Sequence, residues 1–353
     1  PELGIRLSLW LSALPLLVFV FIILPHARVK KGYVFISLGI VGLFTLMTFR
    51  NYEKPNADFT FLYKSEGILG QLSVLENPID ENTTYRHLFI NHIAQTYVNV
   101  DSLTVSKWEY PHRFSAIASI KPKGSKALMI GLGGGSIAQE FIKLGFELEA
   151  VELDKRVPEL AKKYFDLQLP KSQIYVDDGR HFIQYVEKKY DIIFIDVING
   201  ENQPHHMFTK EAIEDLKRIM ADDAILMINL QGYLKGRKGR GTRSVYKTLI
   251  NAGLDVGVFQ SSEGGDVHFY ATNGKIDLSK FSVERQNAAG KAMGIGLADC
   301  ISQIQIDTIN AEVLVDDKPL LEYLSAEANE EWRETALGAI IKRELENDYP
   351  FFD

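Results

Sequence analysis

One glycine cluster and three acidic positions in this sequence have the residue types of nucleoside chemistry, and each follows an apolar run. The glycines come first, as Gly131-Leu132-Gly133-Gly134-Gly135-Ser136 directly after Lys126–Ile130. Glycine lets a backbone turn sharply and lets a ligand approach closely. The pattern departs from the dinucleotide motif G-x-G-x-x-G, because Ser136 stands at its third glycine position. The spacing of Gly131, Gly133 and Gly135 suits an S-adenosylmethionine-type nucleoside better. Glu152 closes the next run, 21 residues after Gly131. An acid there can accept both hydroxyls of a ribose; a solvated carboxylate at a strand end is the alternative. Asp177-Asp178-Gly179 comes third. A carboxylate there can accept the exocyclic amine of adenine, or cap the helix that follows. Asp178 is favoured as the ligand. Asp196 closes the apolar run Asp191–Ile195 and leads into Val197-Ile198-Asn199-Gly200. A carboxylate in that place can orient an amine or take its proton; a capped loop is the alternative.

These residues converge only if the runs before them are parallel strands. From about Ser125 the pattern alternates strand and helix, which implies a parallel sheet. Strands are expected at Lys126–Ile130, Glu147–Glu152, Gln173–Val176, Asp191–Asp196, Ala224–Leu230, Leu254–Gln260 and Val267–Ala271. Helices are expected at Ser136–Leu144, Lys155–Phe165, Gly179–Lys188, Thr209–Met220 and Ser244–Ala252, with Asp154 as a helix cap. The last two strands have no helix between them and are expected to pair antiparallel. Upstream, Phe59–Tyr63, Gly70–Leu75, Tyr85–Ile90 and His92–Val98 look like short strands, with Asn77–Thr83 as a turn.

Further upstream, Leu7–Pro25 and Gly32–Phe49 are uncharged over 19 and 18 residues. About 20 apolar residues cross a hydrocarbon core, so the pair reads as a transmembrane helical hairpin. Arg28, Lys30 and Lys31 between the runs are matched by Arg6, Arg50 and Lys54 outside them, so the charge rule does not set the orientation. The expected divisions are a membrane anchor over 1–54, a β-strand subdomain over 55–105 and a nucleoside-binding domain over 106–353.

A single cysteine, Cys300, excludes an intramolecular disulfide framework and a Cys-cluster zinc site. His205 and His206 are adjacent and lack metal-ligand spacing, so no metal is expected. A net charge of −7 speaks against nucleic acid as a partner.

In order and spacing, these motifs resemble the spermidine synthase family (polyamine aminopropyltransferases), over about Phe59 to Leu324. The likeness includes Gln95 after a strand, Tyr110-Pro111-His112 where the family has Tyr-His-Glu, and the glycine loop. It continues through Val151-Glu152-Leu153-Asp154, Asp177-Asp178-Gly179, Asp196 and Phe208-Thr209. Val315-Asp316-Asp317-Lys318-Pro319-Leu320-Leu321-Glu322 resembles the terminal motif of membrane-fused members. The fold so implied is α/β: a class I methyltransferase-type Rossmann fold with a seven-stranded, mostly parallel sheet. A small β-hairpin subdomain and the N-terminal transmembrane hairpin precede it.

The resemblance implies S-adenosylmethionine or its decarboxylated form as co-substrate. Glu152 would hold the ribose and Asp178 the adenine, with Gln95, His112, Asp177 and Gly179 as further cofactor contacts. Tyr110, Asn199 and His206 would touch the acceptor, and Asp196 would be the acid/base carboxylate. An amine would attack carbon beside the sulfonium and release methylthioadenosine. The family also dimerises through its strand subdomain, so a homodimer is expected.

Three departures bear on substrate. Gly134 stands where the family has an Asp that holds the donor's amine, and Asn199 stands where it has a second Asp. The segment Lys235–Arg243 holds five basic residues in nine, which attract an anion and repel a polycation. The leading expectation is a membrane-anchored transferase with its soluble part in the cytoplasm, acting on a small amine or anionic acceptor. The alternatives are a methyltransferase acting on an anionic or lipid substrate and a non-catalytic nucleoside-sensing domain.

Overall fold

The computed structural model describes residues 60–91, 93–198, 203–260, 265–274 and 306–347, together with residue 39. The proposed transmembrane runs (Gly39 apart), Asn199 and Cys300 lie outside the described residues. Among the described residues, no helix is long and apolar enough to cross a membrane.

Strands β1 (Thr60–Gly67), β2 (Gly70–Asp80), β3 (Thr83–Ile90), β4 (Ile93–Asn99) and β5 (Ser102–Ser106) form an antiparallel meander in chain order. The polar run Asn77–Thr83, expected as a turn, is mostly strand. Asn77 pairs with Tyr85 and Pro78 with Thr84, leaving Glu81-Asn82 to turn the chain. Strand β5 goes beyond the sequence expectation, since Ser102–Ser106 has only two apolar residues and is recruited by pairing with β4. Helix α1 (Tyr110–Ala118) is likewise additional. Pro111 sits in its first turn, where a missing N–H costs nothing.

The second sheet contains β6 (Lys126–Ile130), β7 (Glu147–Glu152), β8 (Ile174–Val176), β9 (Tyr190–Ile195), β10 (Met220–Gln231), β11 (Asp255–Gln260) and β12 (Asp266–Thr272). Its order is β11-β12-β10-β9-β6-β7-β8. All pairs from β10 to β8 are parallel, and β12 runs antiparallel to both its neighbours. Around it lie α2 (Ser136–Lys143), α3 (Arg156–Phe165), α4 (Gly179–Tyr185), α5 (Lys210–Ile219), α6 (Arg240–Asn251) and α7 (Leu321–Asn347). Helix α6 starts at Arg240 rather than Ser244, so Arg240 and Arg243 fall in its first turn and not in a loop.

Side-chain alternation explains how the sheet sits between two apolar layers. Ala127, Met129, Ile192 and Phe194 join a cluster with Phe114 of α1, Phe141 of α2 and Phe165 of α3. Their neighbours Leu128, Ile130, Ile193 and Ile195 face Phe182, Ile213 and Leu249 on α4, α5 and α6. Phe114, Phe141 and Phe194 are fully buried, and each such side chain contributes roughly 1.5–3 kcal/mol. Strand β6 has β7 on one side and β9 on the other. The chain order reverses there, and such a switch point opens a crevice at the strands' carboxyl ends.

The meander is fastened beside that crevice. Arg156 of α3 donates to Ser65 Oγ at 3.0 Å and to the Gly70 carbonyl at 3.1 Å. Tyr164 donates to the Leu62 carbonyl at 3.0 Å, and Lys143 to the Thr104 carbonyl at 2.7 Å.

Candidate active site

The glycine loop turns because of where β6 ends. Gly131 has φ +88°, a region costly for residues with a Cβ. A Cβ there would stand 2.1 Å from the Asp196 carbonyl oxygen, so the loop and the end of β9 touch backbone to backbone. Gly135 has φ +86° and forms the N-cap of α2, where it turns the chain without lining the cavity.

Between this loop, the ends of β7 and β8, and the residues Asp196, Val197, Ile198, Pro204, His206 and Met207 lies a cavity of about 230 Å³. Gln95, Gly131, Gly133, Glu152, Asp177, Asp178, Gly179, Asp196 and His206 all line it. Leu69, Ile130, Leu132, Val151, Val197 and Met207 supply apolar wall. The lining thus combines five acids (Asp154 is the fifth) with an apolar wall, a setting for a cationic, hydroxyl-bearing ligand with an aromatic base. Asp154 is committed elsewhere, since both its oxygens take the Arg156 guanidinium and Oδ1 also takes the Arg156 N–H.

Glu152 is held by two backbone amides. Oε2 accepts from Leu132 N at 2.9 Å, and Oε1 accepts from Asp154 N at 2.9 Å. Burial nevertheless raises its pKa above the ordinary value, against the pull of those N–H groups. The two aspartates after β8 divide their work. Asp178 caps α4 through Oδ1, which accepts from His181 N at 3.1 Å. Its Oδ2 lies 3.4 Å from His206 Nε2. Asp177 accepts from Tyr185 Oη at 2.9 Å and faces His181 Nδ1 at 2.9 Å. Burial works against its charge, but these bonds and the Asp178 N–H hold Asp177 below the ordinary range.

Asp196 directly follows β9 and lines the cavity. Oδ1 accepts from Asn229 Nδ2 at 2.9 Å and Oδ2 accepts from Tyr110 Oη at 3.2 Å. Burial pushes its pKa up to about 6, although both hydrogen bonds favour the anion. A carboxylate so poised can take a proton near neutral pH. Burial, with the Asp196 charge, raises the Tyr110 phenol well above its usual value, so it stays a donor. The ring of Tyr110 stacks on His268 at 5.8 Å between centroids. Burial pulls His268 down to about 3, keeping that imidazole neutral.

Several expected site residues lie outside the cavity lining. Tyr110 stands behind Asp196 rather than in the lining. His112 is buried on α1, its Nε2 2.9 Å from the Ser106 carbonyl, and does not reach the cavity. His205 is also buried, with Nε2 2.9 Å from the Val315 carbonyl, and tethers its loop to the segment before α7. Asn229 and Thr96 were not expected. Asn229 could have been found as the one amide in the apolar run Ala224–Leu230. Thr96 left no signal. Its Oγ1 accepts from Gly134 N at 2.8 Å. A Cβ on Gly134 would lie 2.5 Å from that Oγ1 and 2.6 Å from Cγ2.

Residues 115–233 match the family described as spermine/spermidine synthase domain. A polyamine aminopropyltransferase of Vibrio vulnificus is 33% identical over 114 residues, 31% of this chain and 38% of its own length. An N-terminal histidine N-methyltransferase of Emericella nidulans is 35% identical over 134 residues, 35% of this chain and 24% of its own. The chain therefore spans less than half the length of either relative. A probable spermidine synthase from Corynebacterium glutamicum superposes with a TM-score of 0.52 at 18% identity, covering 65% of this chain and 85% of that one. That likeness is one of fold.

Proposed function

We propose, from the spermine/spermidine synthase match over 115–233 and the geometry around Asp196, that the protein transfers an alkyl group other than methyl from a sulfonium nucleoside to an amine. The donor is S-adenosylmethionine or its decarboxylated form. Glu152 accepts the ribose hydroxyls, Asp178 accepts the adenine amine, and the apolar wall packs the base. The amine nitrogen attacks the carbon beside the sulfonium. The new C–N bond forms as the C–S bond breaks, and sulfur keeps the electron pair. Methylthioadenosine leaves, and the proton lost by nitrogen goes to Asp196. One observation carries this reading: a carboxyl raised to about 6 stands in the same cavity as Glu152 and Asp178.

The corner at Gly134 supports a second reading. In the resembled family an acid at this position holds the aminopropyl donor's ammonium; Gly134 carries no side chain, and a Cβ there would stand 2.5 Å from Thr96 Oγ1. Intact S-adenosylmethionine carries its own carboxylate next to its ammonium and needs no such acid. Methyl transfer, the activity in the name of the Emericella relative, also uses that intact donor.

Product analysis separates the readings. The purified protein is incubated with each donor and an amine panel, and the nucleoside product is identified by mass. Methylthioadenosine supports alkyl transfer, S-adenosylhomocysteine supports methyl transfer, and binding without either product supports a sensing domain. The runs 7–25 and 32–49 support anchoring to a membrane, and the cytoplasmic supply of sulfonium nucleosides supports a cytoplasmic face for the described domain. Protease protection in sealed vesicles tests that, and a protected luminal domain overturns it.

A further inference from the structure

We propose that a second cavity, beside the first turn of α6, binds a phosphate-bearing anion. This cavity has a volume of about 690 Å³ and shares no lining residue with the one around Asp196. It opens along the segment that leaves the carboxyl end of β10. Lys235, Arg237, Arg240 and Arg243 line it, with Asp307 as the acid and Asn310 as a neutral polar neighbour.

Among the described residues, the charges around this cavity do not balance. Arg237 is paired with Glu327 of α7, and the adjacent Lys238 with Glu331. Lys235, Arg240 and Arg243 have no carboxylate within 4.0 Å among the described residues. Among the described residues, Asp307 is therefore the one acid in a lining that holds three cations with no carboxylate partner.

Arg243 carries the argument furthest. Its residue surface is only 9% exposed. Nη1 donates to the Leu234 carbonyl at 3.0 Å and to the Gly236 carbonyl at 2.9 Å. Two neutral acceptors satisfy part of a group with five N–H donors, and no carboxylate among the described residues answers its charge. A buried charge without a counter-charge is costly. Here the carbonyls fix the guanidinium in place along the cavity wall, leaving its remaining donors for an anion. Planar donor geometry suits a phosphate bidentately, and Lys235 and Arg240 add charge from the rim. The positive end of the α6 dipole points the same way. The phosphate can belong to a soluble metabolite or to a lipid headgroup, since both present the same oxyanion.

The inference does not rest on the proposed reaction, and its test needs no turnover. Thermal unfolding and calorimetric binding of the full-length protein are measured with inorganic phosphate, with dihexanoyl phosphatidylglycerol below its micelle concentration, and with sodium chloride at matched ionic strength. The expected result is a saturable rise in Tm with at least one phosphate probe and none with chloride. Tighter binding of inorganic phosphate identifies a soluble ligand, and tighter binding of the lipid identifies a headgroup. Arg240→Gln and Lys235→Gln each weaken binding by fivefold or more, and Asp196→Asn leaves it unchanged. Arg243→Gln also removes the two carbonyl bonds and is read only if its unfolding stays cooperative; Arg240→Gln keeps the test decisive otherwise. Phosphate and lipid acting no differently from chloride, or wild-type affinity in Arg240→Gln and Lys235→Gln, would overturn the proposal.

Discussion

Thr96 fills the space beside Gly134 that any side chain there would need, and at the same time it accepts the Gly134 N–H at 2.8 Å. Thr96 lies in strand β4 of the meander, and Gly134 in the loop between β6 and α2 of the second sheet. Their contact joins the meander to the glycine loop and puts no charged side chain at Gly134.

Substituting Thr96 tests this directly. Thr96→Val keeps the volume but orphans a buried N–H, a loss of about 1–3 kcal/mol. Thr96→Ser restores most of that stability in urea denaturation. Gly134→Asp alone is expected to destabilise the fold. Gly134→Asp combined with Thr96→Gly frees the space and shifts donor preference toward decarboxylated S-adenosylmethionine, read as relative affinity by calorimetry.

Asp196 is expected to act in chemistry rather than in nucleoside binding. Asp196→Asn lowers kcat by roughly 10²–10⁴-fold, the usual scale for a general base, while donor affinity stays within about twofold of wild type, a margin far below that catalytic effect. Equal loss of both would move Asp196 into the binding machinery.

Tyr110 and Asn229 hold the Asp196 anion, and each bond lowers its pKa. Removing either bond therefore raises it. In Tyr110→Phe the acidic limb of the kcat/KM profile, expected near pH 6 in the wild type, moves to higher pH. A profile that keeps its limb while kcat falls would assign Tyr110 a different role.

The same carboxyl makes stability depend on pH. Its folded value of about 6 lies above the ordinary value of about 3.9. The folded state thus holds the proton more tightly than the unfolded state. This contribution is fully present below about pH 4, where both states are protonated. It is lost as pH rises through about 6. Asp196→Asn, which cannot ionise, is therefore more stable than wild type at pH 8 and loses that advantage near pH 4. Thermal denaturation across this range checks the sign.

Gly131→Ala combines a positive φ with a Cβ placed 2.1 Å from the Asp196 carbonyl oxygen. The loop or the end of β9 has to move. A loss of more than about 1 kcal/mol is expected, since strain here exceeds the ordinary glycine-to-alanine effect. Nucleoside binding weakens with it, measured by denaturation and calorimetry on the same variant.

Much of this architecture follows from local sequence. Lys126–Ile130 and Glu147–Glu152 were readable as strands with their observed ends. Apolar runs of strand length closed by glycine or acid mark both the strand and its functional end, and those signals lie within a few neighbouring residues. The acids after those runs, Glu152, Asp178 and Asp196, do line one cavity. The rest depended on contacts that no local pattern encodes. His112 looks like a site residue by its neighbours, yet the packing of α1 turns it to the Ser106 carbonyl. Helix α6 begins within the basic run that reads as a loop. Asn229 meets Asp196 across 33 positions, Thr96 meets Gly134 across 38, and Tyr110 meets Asp196 across 86. Sequence alone determined which residue types stand at the strand ends, because alternation and turn chemistry act over short range. Only the tertiary structure decided which of them are desolvated, paired or blocked, because burial and contact are set by elements distant along the chain.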